Sequence, residues 1–127
     1  DLCSLSHLEK SLSSAHAAAF VRRVYGPAEQ AALGLLEGSA APLNAHRLAS
    51  AAADFAAKEA FKGGGTGLRE PFSLCEIEAV RLPGGAPAYH FSGRSAQWVE
   101  ARRLRAHLSL SHEDGMAMAY CILETET

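Results

Sequence analysis

Apolar residues recur at helical intervals through the first third of the chain. From residue 5 onward, leucines are spaced three or four residues apart, and the segment HAAAFVRRVYG continues the same apolar stripe as far as Val24. This periodicity predicts an amphipathic helical segment that ends at Gly26. Pro27 suits the first turn of a second helix, which we expect to end at Gly38.

The longest helical candidate lies between residues 45 and 62, with Asn44 as its N-cap. It consists mainly of alanine, yet it carries the charged pair Lys58 and Glu59. The glycine-rich segment GGGTG follows at once and is expected to terminate the helix.

Beyond residue 73 the period of the pattern changes from helical to alternating. The segments CEIEAVRL and PGGAPAYHF predict a hairpin over residues 74–92, with Glu78 on the face opposite Ile77. The segment SAQWVEARRLR predicts a helix with Trp98, Val99 and Leu104 facing inward.

Two further strands, AHLSLSH and MAMAYCILE, are joined by a tight turn at EDG. Helices early in the chain and short hairpins later are typical of an α+β domain, with helices packed on a mainly antiparallel sheet. We expect residues 1–127 to form a single domain, because this length suits one compact core.

Composition and charge exclude some classes of function. The formal net charge is −2, whereas general nucleic-acid binding needs a broad basic surface. No apolar run is long enough to cross a bilayer, so we expect no membrane association. The arginine pair Arg22 and Arg23 indicates an acidic partner or, equally, a solvated helix face.

The three cysteines, Cys3, Cys75 and Cys121, are odd in number and lack the spacing of a zinc site. We interpret them as small apolar side chains in a reducing, cytoplasmic compartment. The chain opens on Asp1 without a methionine, so we expect residues to precede it in the natural protein.

Lys58, Glu59 and Lys62 form the first candidate for chemistry. Helical spacing places them on about the same side as Phe55, and charges among so many alanines must be paired or bind a charged group. A simple surface salt bridge is the alternative. The adjacent GGGTG segment could bring backbone N–H groups to phosphate oxygens, or could merely stop the helix.

The segment HLSLSHED is the second candidate. Alternation places His107, Ser109 and Ser111 on one face of a strand, and His112 and Glu113 come where the strand meets its turn. A serine hydrolase is disfavoured because adjacent Ser111 and His112 point to opposite faces and no GxSxG elbow exists. A structural row of hydroxyl groups with a surface histidine remains the alternative.

Taken together, these motifs resemble a known family. The motifs are DFAAKEAF followed by GTG, then CEIEAVRLPGGAPAYHFSG and HLSLSHEDGMAMAYCILE. The chain is similar, in the order and spacing of its motifs, to the holo-[acyl-carrier-protein] synthases, which are small 4′-phosphopantetheinyl transferases. The resemblance covers essentially the whole chain. It implies transfer of phosphopantetheine from coenzyme A to a serine of an apo acyl carrier protein for fatty acid biosynthesis, with release of adenosine 3′,5′-bisphosphate.

The resemblance also implies roles for individual residues. Asp1 and Glu59 would be carboxylate ligands of Mg²⁺, which prefers oxygen donors. The serine's proton would pass to a general base, either Glu59 through a metal-bound water or an acidic group near His112, such as Glu113. Lys62 and His112 complete the catalytic residues that the resemblance implies. The residues implied to contact coenzyme A, which is a substrate, are Lys58, Lys62, Gly64, Gly65, Thr66, Gly67, Pro87, Ser111 and His112.

Family members typically form trimers with the active site between subunits, so a homotrimer is expected. Arg22 and Arg23 match the basic helix that would dock the acidic carrier protein. Asp54 stands where the family usually carries arginine, and the segment before GTG is one residue short, so that Lys62 matches the family's second lysine only after a shift. The alternatives are a non-catalytic member that binds coenzyme A or the carrier, and an assembly domain of a larger synthase.

Overall fold

The structure is a computed structural model that describes residues 1–35, 43–63 and 72–126. Within these residues, helices and strands follow one another in the order β1 (Leu2–Ser4), α1 (Leu5–Ser13), α2 (Ala17–Val24), α3 (Pro27–Leu33), α4 (Ala45–Gly63), β2 (Ile77–Arg81), β3 (Pro87–Phe91), α5 (Gly93–Ala101), β4 (Leu104–Glu113) and β5 (Met116–Thr125). A 3₁₀ turn at Leu74–Glu76 leads into β2.

The first helical segment is two helices, and a polar turn separates them. The Ser14 hydroxyl donates to the Ser11 carbonyl at 3.1 Å and accepts from the His16 N–H at 3.2 Å. A serine that bonds nearby backbone groups in this way competes with the helical hydrogen bonds, so α1 ends there. The apolar stripe nevertheless continues, because Leu8, Val21 and Val24 are all buried in one core.

Helix α3 ends earlier than the sequence pattern predicts. Gly34 adopts a left-handed conformation with φ of 67°, which closes the helix four residues before Gly38. The Arg47 guanidinium donates to the carbonyls of Leu33 at 2.9 Å and Gly34 at 2.7 Å, and so satisfies the helix end. Gly38 itself lies outside the described residues.

Helix α4 is the central element, and its predicted start is confirmed. The side-chain oxygen Oδ1 of Asn44 accepts a hydrogen bond from the Arg47 N–H at 2.8 Å, as an N-cap does. The helix packs on β5 and also contacts β1, β2 and β4. Six of its ten buried residues are alanines, which let the sheet approach closely: Ala51, Ala52, Ala53, Ala56, Ala57 and Ala60.

The strands confirm the prediction of an antiparallel arrangement. One sheet has the order β1–β5–β4 and the second is the hairpin β2–β3, and all three pairings are antiparallel. Asp114 and Gly115, with φ of 49° and 75°, form the two-residue turn between β4 and β5. Positive φ at both positions defines a type I′ turn, whose twist matches the paired strands.

The last helix is shorter than predicted. α5 ends at Ala101, and Arg103 has a φ of 51°, so the chain reverses and Leu104 begins a strand. Trp98 and Val99 face inward as expected, packed on the aromatic cluster around Phe61. No helix within the described residues is long and apolar enough to span a bilayer.

Candidate active site

Two carboxylates predicted to act together line one cleft. The cleft has a volume of about 340 Å³, and Asp1 and Glu59 both contribute to its wall. The remaining lining residues come from the end of α4 and from β5: Ala60, Gly63, Ala119, Tyr120 and Cys121.

Strand pairing fixes Asp1 at this place. The Asp1 amino group donates to the Ala119 carbonyl at 2.6 Å, and the Ala119 N–H donates to the Asp1 carbonyl at 2.8 Å. Because β1 pairs with β5 and α4 lies across both, the end of α4 carries the half-buried Glu59 to the same cleft. Residues 58 positions apart in the sequence thus form one acidic site.

The carboxylate side chains at the cleft are groups that can bind a cation. Burial raises the pKa of the Cys3 thiol, and the negative charge of nearby Glu59 raises this pKa further. The thiol therefore stays protonated, and the negative charge of the cleft comes from Asp1 and Glu59. Two carboxylates in an open cleft are the oxygen donors that Mg²⁺ takes from proteins, so the donor set fits this ion.

Lys62 lies in the last turn of α4, next to residues that line the cleft. It is half-buried in the last turn, three residues after Glu59, and Gly63 beside it lines the cleft. A spacing of three residues keeps the two side chains on about the same side of the helix. The predicted phosphate contacts at Gly64, Gly65, Thr66 and Gly67 lie outside the described residues.

Lys58 occupies a different environment from the one predicted. Its side chain is completely buried, and its ammonium group donates to the Glu29 carboxylate and to the Ile77 carbonyl at 2.8 Å. The ammonium also lies 5.5 Å from the centre of the Tyr25 ring. This placement contradicts a contact between Lys58 and coenzyme phosphate, and it equally rules out the surface salt bridge.

Glu29 is the centre of the network that holds Lys58. Besides the lysine, its carboxylate accepts hydrogen bonds from the N–H groups of Gly26 at 3.1 Å and Ala79 at 3.0 Å. Burial raises the pKa of Glu29 to about 7, and the attraction of Lys58 opposes that rise. Burial likewise lowers the pKa of Lys58. The sequence reasoning missed Glu29, although its position in the first turn after Pro27 was a capping signal.

Glu78 extends this network toward the surface. Its carboxylate accepts from the Glu29 N–H at 2.9 Å and lies 3.2 Å from Nδ1 of His90. The side chain lies on the face of β2 opposite Ile77, as predicted, and it is nevertheless buried. Its hydrogen-bond partners, the Glu29 N–H and the His90 imidazole, explain this burial. The periodicity of the sequence cannot predict such partners. We call Glu29, Lys58 and Glu78 the buried charge cluster.

Asp54, which replaces the family's arginine, is also paired inside the protein. Its carboxylate accepts from the Arg81 guanidinium at 3.1 Å and is almost fully buried. Burial raises the pKa of Asp54 to about 6, while Arg81 opposes that rise. Most of the reversed charge is therefore neutralised within the fold and is not directed at a ligand.

His112 lies away from the acidic cleft within the chain. Its Nε2 is 3.0 Å from the Ala49 carbonyl, in the first half of α4. Glu59 follows ten residues later, about 15 Å along the helix axis. His112 and Glu113 are exposed at the end of β4, as is Ser111. The structure does not bring these three residues together with Asp1 and Glu59 in one subunit.

Pro87 lies nearest to the middle of α4. It is the first residue of β3 and pairs with Arg81, which bonds Asp54. His112 is near enough to lower the pKa of Asp54. The predicted coenzyme contacts therefore divide between two places on α4, one at the acidic cleft and one near Asp54.

The predicted docking arginines are on the surface. Arg22 and Arg23 form the last turn of α2 and are both exposed. The Arg23 guanidinium lies 5.9 Å from the centre of the Phe20 ring. Their side chains are therefore accessible to a partner protein.

Comparisons with known proteins match the whole chain. The holo-[acyl-carrier-protein] synthase of Leptothrix cholodnii is 35% identical over 127 residues, covering 99% of this chain and 93% of that protein. The crystal structure of the holo-[acyl-carrier-protein] synthase from Neisseria meningitidis matches with a TM-score of 0.74 and 28% identity over 98% of this chain and 94% of that one.

A second solved structure is the holo-(acyl-carrier-protein) synthase of Bacillus anthracis in complex with CoA (3′,5′-ADP). It matches with a TM-score of 0.73 and 28% identity, covering 99% of this chain and 93% of that chain. None of the protein-family models compared matches the chain.

The shared fold defines the class of protein, an α+β domain in which helices cover antiparallel strands. Identity above 30% along nearly the full length of both proteins then fixes the family. The chain belongs to the holo-[acyl-carrier-protein] synthases.

Proposed function

We propose that this protein transfers 4′-phosphopantetheine from coenzyme A to a serine hydroxyl of an apo acyl carrier protein. The reaction forms a bond from the serine oxygen to phosphorus and breaks the diphosphate bond, so adenosine 3′,5′-bisphosphate leaves. The observation that carries this proposal is the cleft shared by Asp1 and Glu59 in a chain that matches holo-[acyl-carrier-protein] synthases from end to end. The relatives include a synthase solved with CoA (3′,5′-ADP).

Asp1 and Glu59 are the residues proposed to hold Mg²⁺. When bound, the ion would neutralise charge on the diphosphate, which is the main requirement of phosphoryl transfer. The half-buried Glu59 keeps its carboxylate at the cleft, where it can also accept the proton of the carrier serine. Lys62, on the same side of α4, is proposed to contact the phosphates.

A homotrimer would complete the site. We propose that a second copy covers the exposed sheet face, which consists of four large apolar residues that are 49–65% exposed: Leu2, Met118, Tyr120 and Ile122. A monomer rarely leaves such a continuous apolar surface uncovered. Since His112 is about 15 Å along α4 from Glu59 in its own chain, the His112 end of one subunit could reach the acidic cleft of its neighbour.

Arg22 and Arg23 are proposed to dock the carrier protein. Acyl carrier proteins are acidic, and two adjacent exposed guanidinium groups on α2 complement an acidic helix. These arginines would set the rate of encounter and the KM for the carrier, with little effect on the chemical step.

The proposal is tested by mass spectrometry. The protein is incubated with Mg²⁺, coenzyme A and an apo carrier protein, and the carrier should gain the mass of phosphopantetheine. A carrier whose acceptor serine is replaced by alanine is the control and should not change. Tight binding of coenzyme A without any mass gain, across several carriers, would contradict transfer and favour a non-catalytic binding role.

A further inference from the structure

We infer that Lys58 is a positioning residue for the candidate metal site. Its buried ion pair with Glu29 sets the rotation of α4 that directs Glu59 into the cleft. The inference rests on the proposed metal site at Asp1 and Glu59, and it assigns Lys58 no contact with substrate.

The first reason is that the alanine-lined part of α4 provides little rotational control. Six of the ten buried residues of α4 are alanines that are at most 9% exposed, and its large buried apolar side chains are Leu48 and Phe61. Helices lock against neighbours when large side chains form ridges that fit grooves. Between Leu48 and Phe61 the methyl groups form only shallow ridges, so little apolar packing fixes the rotation of the middle of the helix.

Polar anchors supply the control that alanine does not. The Tyr25 hydroxyl donates to the Ala51 carbonyl at 2.8 Å, and the Tyr89 hydroxyl donates to the Ala57 carbonyl at 2.6 Å. Both bonds hold backbone atoms of α4. Lys58 differs from them because it holds the helix by a side chain, and the next residue is the candidate metal ligand.

Lys58 ties α4 to two other elements at once. Its ammonium group bonds Glu29 of α3 and the Ile77 carbonyl of β2. Among the residues that the structure describes, it is the only buried lysine or arginine. Separating a buried charge from its partners has a large cost in free energy. The Lys58 side chain is therefore held in one direction.

The direction of Lys58 determines that of Glu59. Successive residues of an α-helix point about 100° apart, so a lysine held toward α3 and β2 turns Glu59 toward β5 and the cleft. A helix with its side chains has a radius of roughly 5–6 Å. A rotation of about 20° would therefore move the carboxylate by about 2 Å, as much as a whole Mg²⁺–oxygen bond length.

The test removes the ion pair between Lys58 and Glu29 without leaving either charge unpaired. Lys58→Met alone would strand the Glu29 carboxylate in the interior and could prevent folding. The double variant Lys58→Met/Glu29→Gln eliminates both charges at similar volume, and such replacements of buried pairs are often tolerated. Ser95→Ala is the stability control, because it removes buried hydrogen bonds to Glu76 and Ser92 outside α4.

The readout is binding of Mn²⁺ alone to the purified protein, followed by electron paramagnetic resonance, beside thermal unfolding. For the double variant we expect the Mn²⁺ Kd to rise at least about tenfold, the usual effect of losing a group that orients a metal ligand. Its unfolding temperature should stay near that of the wild type. Ser95→Ala should lower the unfolding temperature and leave the Mn²⁺ Kd unchanged.

Transfer kinetics give a second readout. In the double variant the Mg²⁺ concentration for half-maximal rate should rise, while the KM for the apo carrier protein stays constant. A folded double variant that binds Mn²⁺ as tightly as the wild type would overturn the positioning role alone. A wild-type protein that binds no Mn²⁺ would instead overturn the metal site on which the inference rests.

Discussion

Lys58 and Glu59 are neighbours in the sequence but belong to regions with opposite properties. Lys58 joins the buried charge cluster, in which Glu29 and Glu78 are also at most 2% exposed and every carboxylate has partners. Glu59 belongs to the acidic cleft, where it faces an open space of about 340 Å³ together with Asp1. Charged residues one position apart therefore serve structure in one case and, by our proposal, chemistry in the other.

The comparison shows that a charged side chain on an alanine-rich helix can occupy either of two environments. A charge can be buried if the fold supplies its partners, as α3 and β2 do for Lys58. Otherwise it lies at a cleft where solvent or a ligand completes its environment. Sequence spacing alone does not distinguish the two, because the decisive partner, Glu29, is 29 residues from Lys58 in the chain.

The largest effect is expected from a glutamate-to-glutamine change in the buried charge cluster. Glu29→Gln leaves the Lys58 charge buried without a carboxylate, so the free energy of unfolding should fall by about 3–5 kcal/mol. Urea unfolding measures this loss. An unchanged midpoint and slope would mean that the cluster contributes nothing to the stability of the fold.

The same substitution in the cleft should act on transfer. Glu59→Gln is expected to lower kcat by roughly 10²–10⁴-fold, because the carboxylate proposed to hold Mg²⁺ and to accept the proton of the carrier serine is lost. Its urea unfolding should match that of the wild type, since Glu59 is only half-buried at the cleft. Full transfer activity in this variant would refute the assignment of Glu59.

The third prediction tests whether the acidic cleft needs a neighbouring subunit. Ile122→Glu places a charge on the exposed sheet face and should dissociate the assembly, since each buried isoleucine contributes about 1.5–3 kcal/mol. Light scattering should report a trimer for the wild type and a monomer for the variant, with loss of transfer.

Leu82→Glu is the matched control. Leu82 is 50% exposed, close to the 49% of Ile122, but it follows β2 and lies away from that sheet face. A wild-type monomer would contradict the shared site.

Carrier docking should give a smaller change. The double substitution Arg22→Glu/Arg23→Glu reverses two exposed charges, each worth about 1 kcal/mol or less. The KM for the apo carrier is expected to rise about tenfold, with kcat and the KM for coenzyme A unchanged. Arg94→Glu on α5 provides the control. Equal effects of both changes would show a general charge effect and no docking site.

The last prediction concerns the pH dependence of stability that Asp54 causes. Its pKa rises from the ordinary 3.8 to about 6 on folding, so the folded state holds the proton more tightly. The stabilising contribution is therefore complete below pH 3.8 and is lost as the pH rises through about 6. Between these values the wild type should lose stability relative to Asp54→Asn. A difference in unfolding free energy that stays constant with pH would contradict the raised pKa.

Much of the fold could be predicted from local patterns. The Asn44 cap, the antiparallel hairpins and the turn at Asp114–Gly115 depend on neighbouring residues, and all three are confirmed. The errors arose where a single backbone or side-chain bond overrides periodicity. Ser14 interrupts the first helical segment, and Gly34 ends α3 before Gly38.

The candidate site was only partly predictable. Asp1 and Glu59 could be paired through a resemblance, and the structure brings them to one cleft. The burial of Lys58 could not be predicted, because it depends on contacts with Glu29 and Ile77 that exist only after packing. The separation of His112 from the cleft likewise required the position of β4 against α4.

A crystal structure with Mn²⁺ and coenzyme A would test the central claim most directly. The anomalous signal of Mn²⁺ locates the ion without assumptions about the ligands. Our account predicts a peak in the cleft, with carboxylate oxygens of Asp1 and Glu59 at about 2.1 Å and coenzyme phosphates beside it. An ion bound elsewhere, or coenzyme A bound with its diphosphate away from Asp1 and Glu59, would contradict it.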